Sequence, residues 1–100
     1  MKIFKNENKN FHLWQELGSF NDALNTEYGK CSDGMKILIS LYISTISGAK
    51  VLIWDEPFAH LSFENSQKIL TSWEKLTGAE TLIFSSHEKI EDFKGEVIFL

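Results

Sequence analysis

Apolar side chains recur at helical spacing near the beginning of the chain. Residues 11–17 follow this spacing, and Gly18 is the residue type that commonly ends a helix. Residues 21–27 predict a second short helical turn. Residues 1–10 are rich in Lys and Asn and are predicted to be flexible. We therefore expect the first ordered element to be a short helix that begins near residue 11.

Two longer helices are predicted further along the chain. One is capped by Ser32 or Asp33 and continues to about residue 47. Its apolar side chains lie on nearly every side, so we expect this helix to be buried. The other is capped by Ser62 and continues to about residue 76, and a glycine follows each helix and is predicted to end it. The inward side of the second helix is predicted to consist of Phe63, Ile69, Leu70, Trp73 and Leu76.

Three short apolar runs alternate with the later helices. They occupy residues 51–54, 81–84 and 97–100, and a further short helix is predicted at residues 88–93. Continuous apolar runs of this length are typical of strands in a parallel sheet that is covered on both faces. Strands alternating with helices predict an α/β fold of roughly three parallel strands with flanking helices. The length of the chain predicts a single domain over residues 1–100.

The composition fits a globular domain and argues against several kinds of partner. Apolar residues make up 43% of the chain and charged residues 24%. The net charge is -4 and the ten basic residues, all lysines, are scattered, so we expect no nucleic-acid groove. Cys31 is the only cysteine, which excludes an internal disulfide and fits a reducing cytosol. The longest apolar stretch, residues 37–46, is too short and too polar to span a bilayer, and no secretory signal is apparent.

Polar residues follow two of the predicted strands and precede the first long helix. Asp55 and Glu56 directly follow the first apolar run, and His87 follows the second. In open parallel sheets, ligands bind at the carboxyl ends of the strands. One acid can hold a metal-bound water near phosphates, while the other orients or deprotonates an attacking water. The helix start from Ser32 to Gly34 presents free backbone N–H groups, which attract an anion.

Each of these features also has a purely structural interpretation. The acid pair would form an exposed turn that Pro57 stiffens. Ser32 and Asp33 would simply cap a helix. His87 would be a satisfied structural residue rather than a ligand. Taken one at a time, the residues leave both interpretations open.

The order of these features along the chain resembles a known family, the ATP-binding cassette (ABC) ATPases. The segment EYGKCSDGMK at 27–36 resembles the family's signature, and VLIWDEP at 51–57 resembles its Walker B strand with the catalytic glutamate. The segment FAHLS at 58–62 lies where the family has its D-loop, and LIFSSHE at 82–88 resembles the H-loop strand. The resemblance covers about residues 11–100 and is closest in pattern to ATP-binding subunits of bacterial ABC transporters.

The resemblance implies a fold and a catalytic set. Residues 11–47 would form part of the helical subdomain and the signature helix, and residues 48–100 would form the C-terminal part of the ATPase core. Asp55 would support Mg²⁺ through a water molecule. Glu56 would polarise the hydrolytic water, and His87 would contact the γ-phosphate of ATP.

The resemblance also implies contacts to nucleotide across a dimer, with some departures from the family pattern. Ser32 and Gly34 would contact the γ-phosphate of ATP bound to the opposite subunit. Ser62 replaces the D-loop aspartate, so it would join the nucleotide site with a weaker link across the dimer. The usual leucine and first glycine of the signature are Cys31 and Asp33, and an inward-pointing acid would repel a triphosphate.

The phosphate-binding loop has no counterpart in these 100 residues. That loop needs two glycines separated by four residues and followed by Lys and then Ser or Thr. None of the six glycines is followed by Lys-Ser or Lys-Thr. The implied fold is therefore a partial P-loop NTPase fold that lacks the Walker A lobe. We expect ATP and Mg²⁺ to bind only with a complementary lobe or partner subunit, and hydrolysis by the chain alone to be negligible.

Several functions fit this pattern. The first is a partial ATP-binding subunit of an ABC transporter, and a fragment of a chromosome-maintenance or repair ATPase is a neighbouring alternative. A second is a non-catalytic regulatory module that docks on a complete ABC ATPase, and a third is a structural domain with inherited motifs. The expected partners are a second ABC ATPase subunit or the missing N-terminal lobe, membrane subunits indirectly, or a second copy of this chain. The implied location is cytoplasmic, at the inner face of the cell membrane where membrane subunits are present.

Overall fold

Helices and a small parallel sheet make up an α/β domain. The computed structural model describes residues 10–86, which form four α-helices, one 3₁₀ turn and a two-stranded sheet. The elements are α1 (Phe11–Trp14), α2 (Phe20–Leu24), the 3₁₀ turn (Tyr28–Lys30), α3 (Asp33–Ile46), β1 (Val51–Trp54), α4 (Phe63–Thr77) and β2 (Thr81–Phe84).

The two strands pair in parallel, as the apolar runs predict. Val51 is opposite Thr81 and Trp54 is opposite Phe84, so the register continues without a bulge through both strands. The crossover between them is α4, which is the usual way to join neighbouring parallel strands. Both predicted strand spans are confirmed to the residue.

The prediction that helices cover the sheet on both faces is wrong for the described residues. Leu52 and Trp54 point into the core, and the indole Nε1 of Trp54 donates to the Ser44 hydroxyl of α3 at 3.0 Å. The opposite face is open, with Ile53 74% exposed and Val51 and Ile83 about half exposed. Residues of β1 therefore alternate between exposed and buried, and those of β2 between exposed and half-buried, although both segments are almost entirely apolar.

Aromatic residues from α1, α2 and α3 form the centre of the core. Phe20 and Tyr42 contact each other and both Phe11 and Trp14, with ring centroids 5.4 to 6.0 Å apart and mostly edge-to-face geometry. The indole Nε1 of Trp14 donates to the Leu76 carbonyl near the end of α4 at 2.9 Å. The bond satisfies both a buried indole N–H and one of the last carbonyls of α4, which lack partners within their helix.

The long helix α3 begins and ends where the sequence predicts. The Ser32 hydroxyl accepts from the backbone N–H of Met35 at 3.1 Å, which makes Ser32 the N-cap, and Gly48 follows the helix with φ of 71°. The prediction of burial on nearly every side is wrong, because Ile43 and Ile46 are exposed. The described residues cover only the opposite side of the helix.

The crossover helix α4 is capped as predicted. The Ser62 hydroxyl accepts from the backbone N–H of Asn65 at 3.1 Å, and Gly78 ends the helix in the left-handed conformation. Ile69 and Leu76 are buried as predicted. Phe63 is 79% exposed, so its predicted inward orientation is wrong; it is the first helical residue and lies outside the stripe that packs on the core.

The turn between α1 and α2 differs from the prediction. Gly18 does not end a helix, because α1 already ends at Trp14 and Gln15 is its C-cap. The left-handed residue in this turn is Ser19, with φ of 69°, directly before α2. Gly18 instead has both backbone groups bonded to the Asn65 side chain.

Some predictions fall on residues that the structure does not describe. These are the flexibility of residues 1–9, the helix at 88–93, the strand at 97–100 and the placement of His87. Between residues 10 and 86, no helix is long and apolar enough to cross a membrane.

Candidate functional site

The acid pair Asp55–Glu56 lies at the carboxyl end of β1, beside the end of β2. Parallel pairing continues one step beyond the strands, because the Ser85 backbone N–H donates to the Trp54 carbonyl at 3.1 Å. The Ser85 hydroxyl donates to Asp55 Oδ1 at 2.7 Å and accepts from the Glu56 backbone N–H at 2.8 Å. A single hydroxyl therefore joins the carboxylate of one acid to the backbone of the other.

Glu56 has an unusual backbone conformation. Its φ is 48°, in the left-handed region that non-glycine residues rarely adopt. Such a conformation costs about 1–3 kcal/mol and persists only where neighbouring contacts enforce it. Pro57, which is fully buried, follows directly and disfavours the ordinary helical conformation at Glu56. The Glu56 side chain is half-buried and the Asp55 side chain is exposed.

A hollow of about 270 Å³ lies where α3 and α4 begin. Its walls come from the turn before α2, the start of α3, and the loop that leads from β1 into α4. They consist of Ser19, Ser32, Gly34, Met35, Leu38, His60, Leu61, Ser62 and Asn65. Three residues predicted to contact nucleotide, Ser32, Gly34 and Ser62, therefore come together from two distant parts of the sequence.

Gly34 allows the close approach that forms this hollow. A Cβ atom at this position would lie 2.7 Å from the backbone carbonyl oxygen of His60, which is shorter than real Cβ contacts. The first turn of α3 can therefore pack directly on the loop after β1 only with glycine here. The loop itself is held from its other end, where the rings of Phe58 and Phe84 meet edge to face at 5.3 Å.

The chemistry of the hollow favours a small anion. Two helices of 14 and 15 residues begin at it, and the first N–H groups of a helix carry partial positive charge. Ser32 and Ser62 each accept a bond from their own helix, which leaves the hydroxyl proton to donate elsewhere. Asp33, exposed in the first turn of α3, is not part of the wall.

The acid pair and the hollow are separate features of the described residues. Asp55 and Glu56 do not line the hollow, and His87, which is predicted to be catalytic together with Glu56, lies outside the described residues. No group of three or more His, Cys, Asp or Glu side chains that could hold a metal ion occurs within residues 10–86. A carboxylate and a hydroxyl fit Mg²⁺ that is held mainly by water and phosphate oxygens, because Mg²⁺ commonly takes few protein ligands.

Sequence reasoning missed two residues of these sites. The sequence indicates no role for Ser85 beyond its place in the segment LIFSSHE at 82–88, although a hydroxyl at the end of a strand parallel to β1 could have been paired with the acids. Asn65 was not singled out, and its bonds to Gly18, 47 positions earlier, leave no local pattern in the sequence.

Comparisons with protein-family models, with curated proteins and with solved structures found no match to this chain. The resemblance to ABC ATPases therefore rests on the residues named above.

Proposed function

We propose that this chain supplies the signature, Walker B, D-loop and H-loop elements of ABC-type ATP sites whose phosphate-binding loops lie on another chain or lobe. The observation that carries the proposal is the convergence of Ser32, Gly34 and Ser62 on one hollow. In the proposed arrangement, the hollow receives the γ-phosphate of an ATP that is held by the phosphate-binding loop of the opposite subunit.

The hollow supports a phosphate through its two helix starts. Each helix N-terminus favours an anion by about 0.3–1 kcal/mol at an exposed site, and backbone N–H groups add directed bonds. Asp33 and Glu64, in the first turns of α3 and α4, already interact favourably with the same helix ends. The net attraction is therefore modest, which fits a site that needs a partner's loop to bind ATP.

The acid pair and His87 supply the hydrolytic chemistry at a second ATP, which is held by the phosphate-binding lobe that completes this chain's own core. Asp55 supports Mg²⁺ through a water molecule, and its carboxylate is already oriented by the Ser85 hydroxyl. Glu56 orients the attacking water as a general base. His87 contacts the γ-phosphate. Phosphoryl transfer depends mainly on such positioning and on neutralising the charge of the phosphates.

The proposal is tested by reconstitution with a loop-bearing partner. The chain is used as bait in its source cell, and a captured protein with a phosphate-binding loop is purified and mixed with it. We expect the mixture to hydrolyse ATP faster than the partner alone, and Glu56→Gln to remove this increment without weakening capture. Glu74→Gln makes the same substitution at an exposed position of α4 and should leave the increment in ATP hydrolysis unchanged. An increment that survives Glu56→Gln contradicts the catalytic role.

The isolated chain gives a second test. Without a phosphate-binding loop, it should show no Mg²⁺-dependent ATP turnover above the background of a phosphate-release assay. If the purified chain hydrolyses ATP and Glu56→Gln abolishes this turnover, the chain binds ATP without a partner, which contradicts the proposal.

A regulatory module that docks on a complete ABC ATPase is the second candidate. The open sheet face formed by Val51, Ile53 and Ile83 favours it, because contiguous apolar surface of this kind marks a binding surface. The same mixture separates the two functions. If the Glu56→Gln chain still changes the partner's turnover as the wild type does, the chain regulates and does not catalyse.

A further inference from the structure

We propose that Ser85 is the positioning residue of the acid pair. It fixes the backbone of Glu56 in its left-handed conformation and at the same time orients the Asp55 carboxylate. The functional consequence of this role rests on the proposed ATP site, but the positioning itself is a property of the chain alone.

Ser85 is anchored independently of the groups that it positions. Its backbone N–H donates to the Trp54 carbonyl, which continues the β1–β2 ladder past the last paired residues, Trp54 and Phe84. Its Cβ position is therefore set by the sheet and not by the turn at residues 55–57. The Ser85 hydroxyl can therefore restrain the turn at residues 55–57 through its bonds to Asp55 and Glu56.

The turn needs such a restraint because its conformation is strained. Glu56 has φ of 48°, and a residue before proline is biased toward extended backbone. Relaxation to the extended region would rotate the Glu56 peptide away from Ser85 and change the angle between the two acid side chains. The bond from the Glu56 N–H to the Ser85 hydroxyl, 2.8 Å long, opposes this rotation.

The chemistry of a hydroxyl suits this position. It can donate one proton and accept another bond at the same time, and here it donates to a carboxylate and accepts from an N–H. Alanine can do neither. Threonine retains both functions, so Ser85→Thr is the conservative variant and Ser85→Ala the deletion.

Amide hydrogen exchange of the ¹⁵N-labelled chain of residues 1–100 tests the positioning directly. In Ser85→Ala we expect the Glu56 amide to exchange roughly fivefold faster, while Ser85→Thr stays near the wild-type rate. The amide of Thr81, bonded to the Lys50 carbonyl, is the internal reference for unfolding. Ser40→Ala, which removes an exposed hydroxyl from α3, should leave the Glu56 amide unchanged. Unchanged exchange at Glu56 in Ser85→Ala, or equal acceleration at Thr81, overturns the proposal.

Turnover of the reconstituted ATPase separates this inference from the proposed function. Ser85→Ala should lower kcat about tenfold with little change in the KM for ATP, because the geometry of the acids changes and the nucleotide contacts do not. Ser85→Thr should restore most of kcat. If no mixture hydrolyses ATP, the proposed function fails while the exchange result still decides the positioning. If the mixture is active and Ser85→Ala has wild-type kcat, the catalytic consequence of the positioning is contradicted, while the proposed ATPase function is not.

Discussion

At the scale of single residues, Gly34 makes the clearest prediction about the hollow. Gly34→Ala should destabilise the fold by about 1–3 kcal/mol, because the new Cβ would meet the His60 carbonyl oxygen at 2.7 Å. Alanine's better helix propensity, about 1 kcal/mol, acts in the opposite direction. Gly29→Ala is the matched control, since no atom beyond its chain neighbours lies within 4 Å of its Cβ position. Urea unfolding of both variants measures the difference, and a Gly34→Ala chain as stable as wild type contradicts the close packing.

The residues that sequence reasoning located correctly are those with local signals. Ser32 and Ser62 directly precede segments with apolar residues at helical spacing, and each hydroxyl accepts from the backbone N–H three residues later. The cap and the helix can therefore be predicted from the same short segment. Ser19 and Asn65 have no such signal. The left-handed backbone conformation is adopted by Ser19 and not by the neighbouring glycine, and Asn65 bonds to the backbone of Gly18, 47 positions earlier.

At the scale of elements, the bounds of the two long helices and both described strands followed from the sequence. Their spacing, caps and terminal glycines agree with each other, and this agreement makes a boundary predictable. Which sides are buried was less predictable. Phe63 was assigned inward from its apolar character, but in the structure Asn65 is buried instead, because it bonds both backbone groups of Gly18.

The bond between Asn65 and Gly18 joins α4 to the turn before α2. The Asn65 side chain accepts from the Gly18 N–H at 2.9 Å and donates to its carbonyl at 2.8 Å. Asn65→Ala should lower the free energy of unfolding by about 1–2 kcal/mol, because two part-buried hydrogen bonds to the backbone of Gly18 are lost. The free energy of unfolding of Asn65→Asp should lie between those of wild type and Asn65→Ala, because a carboxylate can accept a hydrogen bond from the Gly18 N–H but cannot donate one to its carbonyl. Asn21→Ala, at an exposed position, should stay within about 0.5 kcal/mol of wild type. Equal unfolding midpoints for Asn65→Ala and Asn21→Ala would contradict this role.

At the scale of the whole molecule, the sheet explains why the sequence predicted more burial than the described residues provide. Apolar residues at every position of β1 fit a strand that is covered on both faces. The helices cover the face of Leu52 and Trp54, and the outer face with Ile53 is open. The same discrepancy occurs on α3, where Ile43 and Ile46 are exposed. The sequence thus contains apolar surface that the described residues 10–86 leave uncovered.

The open sheet face predicts association in solution. We expect the purified chain to self-associate with rising concentration, because an exposed apolar face on a two-stranded sheet is buried by pairing with another copy. Ile53→Thr should weaken this association at least roughly tenfold, since it removes the most exposed apolar side chain of the face while keeping strand propensity. Its unfolding free energy, measured at low concentration, should change by less than about 0.5 kcal/mol.

Leu52→Thr is the matched control for this experiment, because it alters the neighbouring residue on the inward face. Leu52 is buried, so this variant should lose about 2–5 kcal/mol of stability through lost apolar packing. Sedimentation velocity over a concentration series measures association, and urea unfolding measures stability. Identical sedimentation of wild type and Ile53→Thr at every concentration would mean that the open face does not bind a second copy. In that case we expect the open face to bind the partner that carries the phosphate-binding loop. Adding this partner should then slow exchange of the Ile53 and Ile83 amides in the wild type more than in Ile53→Thr.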